Sequence, residues 1–220
     1  MYRSAVMLAL VTASGTVAAQ TMSVSAGPLM AAPTGALRHY VAAGWGGVGS
    51  LTWRKPERRF GLRFEASYIA FPFGPADHLN HPAPSFAAVT ANSGSTRLTL
   101  LAGPELAIRF GAARASLHAL AGPVGAFTVM SLDGLGTDER YSQRKRYSDL
   151  AAQAQAGLGV GVSLGRSVAV DFLATYGVLT PTSYGLRDEI KVGVISGPYW
   201  GPERHWSQFA SYRLQIAIGT

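Results

Sequence analysis

Few residues in this chain have the types and spacing that chemistry needs. His78 and His81, three positions apart beside Asp77, carry imidazoles and a carboxylate, the donors of a divalent metal site. They lie in a stretch dominated by Pro and Ala, the composition of a solvated loop tip, so no metal is expected there. His205-Trp206-Ser207 sets an imidazole two residues from a hydroxyl, the pair that attacks an ester. Arg140, Arg144, Lys145 and Arg146 stand among Tyr141 and Tyr147, a combination suited to gripping phosphate groups. Asp138 and Glu139 sit beside them, so a solvated, partly self-paired loop is the competing expectation. The remaining candidates, Arg63, Glu65, Glu105, His118, Asp171 and Arg213, are scattered among apolar residues. What they do depends on what brings them together.

Several chemistries are excluded at once. With no Cys there is no disulfide framework and no thiolate zinc or iron–sulfur site. The chain has neither a phosphate-cradling Gly-Lys-Ser/Thr loop nor a nucleophile elbow. Gly157-x-Gly159-x-Gly161 is the spacing of a strand, not of a dinucleotide fingerprint, and no cofactor is expected.

The elements that must position these residues follow from composition and period. The chain has 220 residues, 48% hydrophobic and 14% charged, enough apolar matter for one domain and too much for a disordered coil. Residues 1–19 read as a secretory signal: one cation, Arg3, an apolar stretch from Ala5 to Val11, and small residues ending at Ala18-Ala19. The net charge is +7, one less without Arg3, and export makes nucleic acid a poor partner for it because the arginines are scattered over turns. No later apolar run is long enough for a spanning helix, so entry into a membrane would be by strands.

Beyond the signal, residues 20–220 alternate with a period of two in eight segments. These are Met22–Ala31, Tyr40–Arg54, Phe60–Phe73, Arg97–Arg109, Arg114–Met130, Asp149–Leu164, Ser167–Thr180 and Trp206–Gly219. The sixth is the cleanest: Leu150, Leu158, Val160, Val162 and Leu164 fall on one face, and Gln153, Gln155, Gly157, Gly159 and Gly161 on the other. The connections run 8, 5, 23, 4, 18, 2 and 25 residues, alternately short and long after the first. That is the signature of an all-β, up-and-down antiparallel barrel with tight turns at one rim and long loops at the other. With register set by the bulky apolar residues, ten charged residues fall on the polar face: Arg54, Arg63, Glu65, Arg97, Glu105, Arg109, Arg114, Asp149, Asp171 and Arg213. Parity alone does not say which face is outside; a soluble lipocalin-like barrel around a small apolar ligand alternates in the same way.

In these segments the chain resembles the small eight-stranded outer-membrane barrels of the OmpA/OmpX type. The resemblance rests on Ser23–Ala36 followed by Tyr40–Trp53, on Ala156 to Arg166 leading into Val168–Tyr176, and on the alternating apolar ending. It implies a transmembrane β-barrel in the bacterial outer membrane, inserted by the barrel-assembly machinery, with lipid and lipopolysaccharide as partners, and a monomeric state. No separate peptidoglycan-binding domain is expected. Two departures stand out. The family's assembly signal usually closes on an aromatic, whereas this chain ends Ile218-Gly219-Thr220. Ala-Gly-Pro also occurs inside three strands, at 26–28, 102–104 and 121–123. Proline cannot donate to a ladder, so bulges or kinks are expected at Pro28, Pro104 and Pro123.

Within such a barrel, Arg63, Glu65, Glu105, His118, Asp171 and Arg213 lie four to seven residues above the turn rim, on the order of 10–18 Å at ~3.3 Å per residue and ~40° tilt. They are expected to form a charge network that plugs the lumen, with Gly44, Gly46, Gly103, Gly122, Gly157, Gly159 and Gly161 making room. A proton or ion path is the alternative. Arg140, Arg144, Lys145 and Arg146 become candidates for contact with lipopolysaccharide from the third long loop. The resemblance also raises lipid A deacylases, whose site is similar to His205-Trp206-Ser207. Gln208 stands where that family has Asn, no acidic residue follows Ser207, and Ser207 falls on the lumen parity, so no catalysis is expected.

Overall fold

The computed structural model describes residues 21–35, 38, 42–55, 58–75, 89–135, 140–165, 167–184 and 203–219. The signal segment, His39, Tyr40, Asp77, His78, His81, Asp138 and Glu139 lie outside these residues. Eight strands run β1 (Thr21–Thr34), β2 (Gly44–Arg54), β3 (Phe60–Pro75), β4 (Val89–Phe110), β5 (Ala113–Leu135), β6 (Arg140–Ser163), β7 (Val168–Tyr184) and β8 (Glu203–Gly219). Each pairs antiparallel with its sequence neighbours, and β1 pairs with β8 to close the barrel. Closure leaves no free edge around the belt, which is how a sheet satisfies its backbone in hydrocarbon.

The ends joining β2 to β3, β4 to β5 and β6 to β7 gather at one rim. Gly111 takes φ of +62°, the left-handed conformation that the two-residue β4–β5 turn needs and that glycine adopts without strain. The other rim differs from the expected long loops. β5 and β6 stay in register without interruption from Ala113↔Val162 to Leu135↔Arg140, and β4 starts at Val89 rather than Arg97. Most of the expected third long loop is therefore a hairpin continued above the belt, and Arg140, Arg144, Lys145 and Arg146 lie on strand β6, not on a loop. The apolar alternation of the sequence stops along this stretch, yet the hydrogen-bonded ladder needs no apolar face to continue.

The three prolines also depart from expectation. Register shifts occur between Phe71 and Gly74 and between Leu179 and Thr182, and none at Pro28, Pro104 or Pro123. Each proline keeps its ladder on one side, as Pro28↔Gly47, Leu62↔Pro104 and Pro123↔Ala152, and drops out of the pairing on the other. The preceding glycine explains why no bulge is needed. A Cβ at Gly27, Gly103 or Gly122 would overlap the carbonyl oxygen of Leu214, Ala119 or Leu100 on the facing strand. Without one, the neighbouring backbone closes in where proline offers no N–H, and the register is preserved.

The two faces of the sheet are inverted relative to a soluble protein. Leu100, Leu158, Val160, Ile216 and Ile218 point outward, Leu158 with 66% and Ile218 with 61% of its surface exposed, while Arg63, Glu105 and Arg213 are buried inside. A soluble lipocalin-like barrel requires the opposite arrangement. Trp45 and Trp53 both project outward on β2, eight residues apart, about 20 Å along the barrel axis at ~3.3 Å per residue and ~40° tilt. That spacing is close to the height of a membrane barrel's apolar band, about 25 Å, whose edges are marked by aromatic girdles.

Candidate functional site

The lumen is built in layers. Furthest from the turns, Leu29, Ala31, Val48, Ile69, Phe71 and Phe209 form an apolar cluster. Arg97 enters it with its guanidinium carbon 4.8 Å from the Phe71 ring centre and 5.4 Å from that of Phe209. Ring faces carry negative potential, so two of them hold a cation within an otherwise greasy layer. Parity alone put Arg97 inside; the aromatic pair around it needed knowledge of which strands face one another across the lumen.

Below this layer lies a continuous ionic network. Glu65 accepts from Arg213, and Arg63 Nε is 3.6 Å from its Oε2. The Arg63 fork reaches further, with Nη1 3.0 Å from Glu105 Oε2 and Nη2 2.9 Å from Gln215 Oε1. Gln155 donates to Glu65 Oε1 at 2.9 Å and accepts from Arg213 at 3.2 Å. Glu105 also accepts from Arg54 and, at 3.4 Å, from Thr52. Two carboxylates thus serve three arginines, and with the amides of Gln155 and Gln215 the network draws on five strands, β2, β3, β4, β6 and β8. Each charge has a counter-charge, which a buried ionic cluster requires because one unpaired charge costs several kcal/mol.

Glycines decide which long side chains meet. Gly61 stands between Arg54 and Glu105 in one cross-strand row, and Gly161 stands between Arg114 and Asp171 in another. With no side chain in the middle, the outer two close on each other, giving the Arg54–Glu105 and Arg114–Asp171 pairs. Asp171, expected in the central network, is therefore placed with Arg114 near the turns. Counting residues from the nearest turn missed this, because strand stagger separates equal counts in height. His118 is buried in the Glu105 row, above Gly157, where a Cβ would press on its Nε2. Among the described residues neither of its ring nitrogens has a hydrogen-bond partner. Arg54, Gln155 and Gln215 extend the network beyond the residues singled out from sequence; all three sit on the inward parity, which was the signal available.

Ser207 is fully buried on the lumen side of β8, and its hydroxyl has no hydrogen-bond partner among the described residues. The side chain of His205 lies outside the described residues, as do those of Arg140, Arg144 and Lys145; Arg146 is exposed. Among the described residues no group of three His, Asp or Glu could hold a metal ion.

No family model matches the chain, and no curated protein matches it. Among solved structures it is similar to Neisserial surface protein A, with 13% identity over 90% of this chain and 96% of that one and a TM-score of 0.44. Ail, the attachment invasion locus protein of Yersinia pestis, gives 11% identity over 92% and 99%, with a TM-score of 0.48. The outer membrane protein OprG from Pseudomonas aeruginosa gives 11% over 92% and 96%, with a TM-score of 0.47. By its closed antiparallel ladder, apolar exterior and ionic interior, the chain is built as a small eight-stranded transmembrane β-barrel.

Proposed function

We propose that this protein is an integral, exported outer-membrane barrel with a plugged lumen, whose role is structural or interactive rather than catalytic. The observation that carries this is the inversion of its faces: aliphatic and aromatic side chains outside, and a paired set of arginines and glutamates sealed inside. The barrel has eight strands, a size at which side chains fill the interior. The apolar cluster and the ionic network, which succeed one another along the lumen, support this reading. What it offers to the outside is then the sheet that β4, β5 and β6 raise above the belt, with Arg140, Arg144, Lys145 and Arg146 on β6 as candidates for contact with lipopolysaccharide.

Purified protein tests both halves. It is expected to need detergent for extraction, to migrate differently on a gel before and after boiling, and to show no steady open-channel current in a planar bilayer. An ion-selective current that disappears in Glu105→Gln would overturn the plug, and protein that stays in the aqueous fraction would overturn the membrane assignment.

A further inference from the structure

Below the ionic network the lumen opens at the turn rim into a cavity of about 560 Å³. Among the described residues five arginines line it, Arg54, Arg58, Arg59, Arg109 and Arg114, against one carboxylate, Asp171. Two of the five have counter-charges: Arg54 is held by Glu105 and Arg114 by Asp171. Among the described residues no ion pair engages Arg58, Arg59 or Arg109. Arg109 and Arg114 are moreover direct cross-strand partners, an arrangement of like charges that destabilises a ladder when nothing lies between them. Thr52 and the Arg54–Glu105 pair stand where the cavity meets the network, so it ends blindly.

We infer that this cup is a binding site for a small multivalent phosphate-bearing anion. Its volume falls within the ~300–1,000 Å³ typical of small-molecule sites. Guanidinium forks match phosphate oxygens two at a time, and several converging forks favour an anion carrying more than one negative charge. The blind end makes the cup a holding site rather than the entrance to a path. Which compartment it faces rests on the outer-membrane reading above, in which the turn rim is periplasmic; the anion chemistry does not. The phosphate has two possible sources, a soluble molecule or the headgroup of a lipid in the adjacent leaflet.

Pyrophosphate titrated calorimetrically into the folded full barrel in zwitterionic detergent, at constant ionic strength, tests the inference. One saturable site per barrel is expected, weakened about tenfold or more in Arg109→Gln and in Arg58→Gln, as loss of a charge-assisted contact implies. Arg58 lies in a turn outside the ladder, and unchanged heat-modifiable migration verifies that each variant is folded. Repeating the titration in nanodiscs separates the sources. Weaker pyrophosphate binding when phosphatidylglycerol joins phosphatidylcholine identifies a headgroup occupant, and equal binding in both identifies a soluble one. Heat no greater than that of an equal ionic strength of chloride, or binding unchanged in both arginine variants, would overturn the site. Failure to need detergent would overturn only the location.

Discussion

Glu65 is the sharpest place to test whether the lumen is dry. It is the carboxylate that Arg213 holds, and Arg213 is 2% exposed. In Glu65→Ala the Arg213 guanidinium keeps only neutral acceptors, Gln155 at 3.2 Å and Thr175 at 3.3 Å, while Arg63 keeps Glu105. The Arg63–Glu65 separation of 3.6 Å corresponds to a gross attraction of about 5 kcal/mol at an effective dielectric near 20, much of it offset by desolvation. Stranding one buried partner is the dominant effect, and the expected loss is about 3–5 kcal/mol. Removing both charges in Glu65→Ala/Arg213→Leu should cost less than the sum of the single changes, by about 1–3 kcal/mol. Equilibrium unfolding in urea, followed by gel migration of protein in detergent micelles, measures all three variants. A loss below about 1 kcal/mol in Glu65→Ala, or strict additivity in the double variant, would show that water reaches the network and refute the sealed lumen.

Other perturbations probe the belt, the glycine rows and the turn. Leu214→Arg puts a cation on the outward face near mid-belt and should destabilise the barrel in lipid by about 2–4 kcal/mol, read as a lower urea midpoint. Gly157→Val drives side-chain atoms into His118 and Thr175 and should cost about 1–3 kcal/mol or more by overpacking, whereas Gly165→Ala, with open space around it, should be nearly silent in the same assay. Gly111→Ala meets no atom but holds φ at +62°, so its cost of about 1 kcal/mol should come from the backbone alone and fall to a few tenths in Gly111→Asn.

How far the sequence could be read depended on position along the strands. Inside the belt, hydrocarbon on one side and packed lumen on the other force strict alternation, so parity located Arg63, Glu105 and Arg213 without coordinates. Further up the strands, small polar residues such as Ser95 and Thr128 take the buried inward positions. The segments around Ser93-Gly94-Ser95 and Tyr141-Ser142-Gln143 lose their alternation although the backbone ladder persists, and three strands accordingly run longer than their apolar pattern. Pairings within the lumen were hidden for a different reason. Arg114 meets Asp171 because Gly161 intervenes, and Arg63 meets Gln215 across the barrel; both depend on stagger and closure, which no single strand's pattern encodes.

The cross-lumen contacts also bear on how such a barrel would be assembled. Arg63 and Glu65 belong to β3, whereas Arg213 and Gln215 belong to β8, the last strand to be synthesised. A nascent ribbon of the first seven strands therefore carries Glu65 without Arg213 to neutralise it, and such a surface tolerates water but not lipid. Insertion that followed strand by strand would drag unmatched ions through oil. In a barrel plugged as proposed, the concave side of the unfinished sheet would stay hydrated until β8 pairs with β1, and that final seam would bring Arg213 to Glu65.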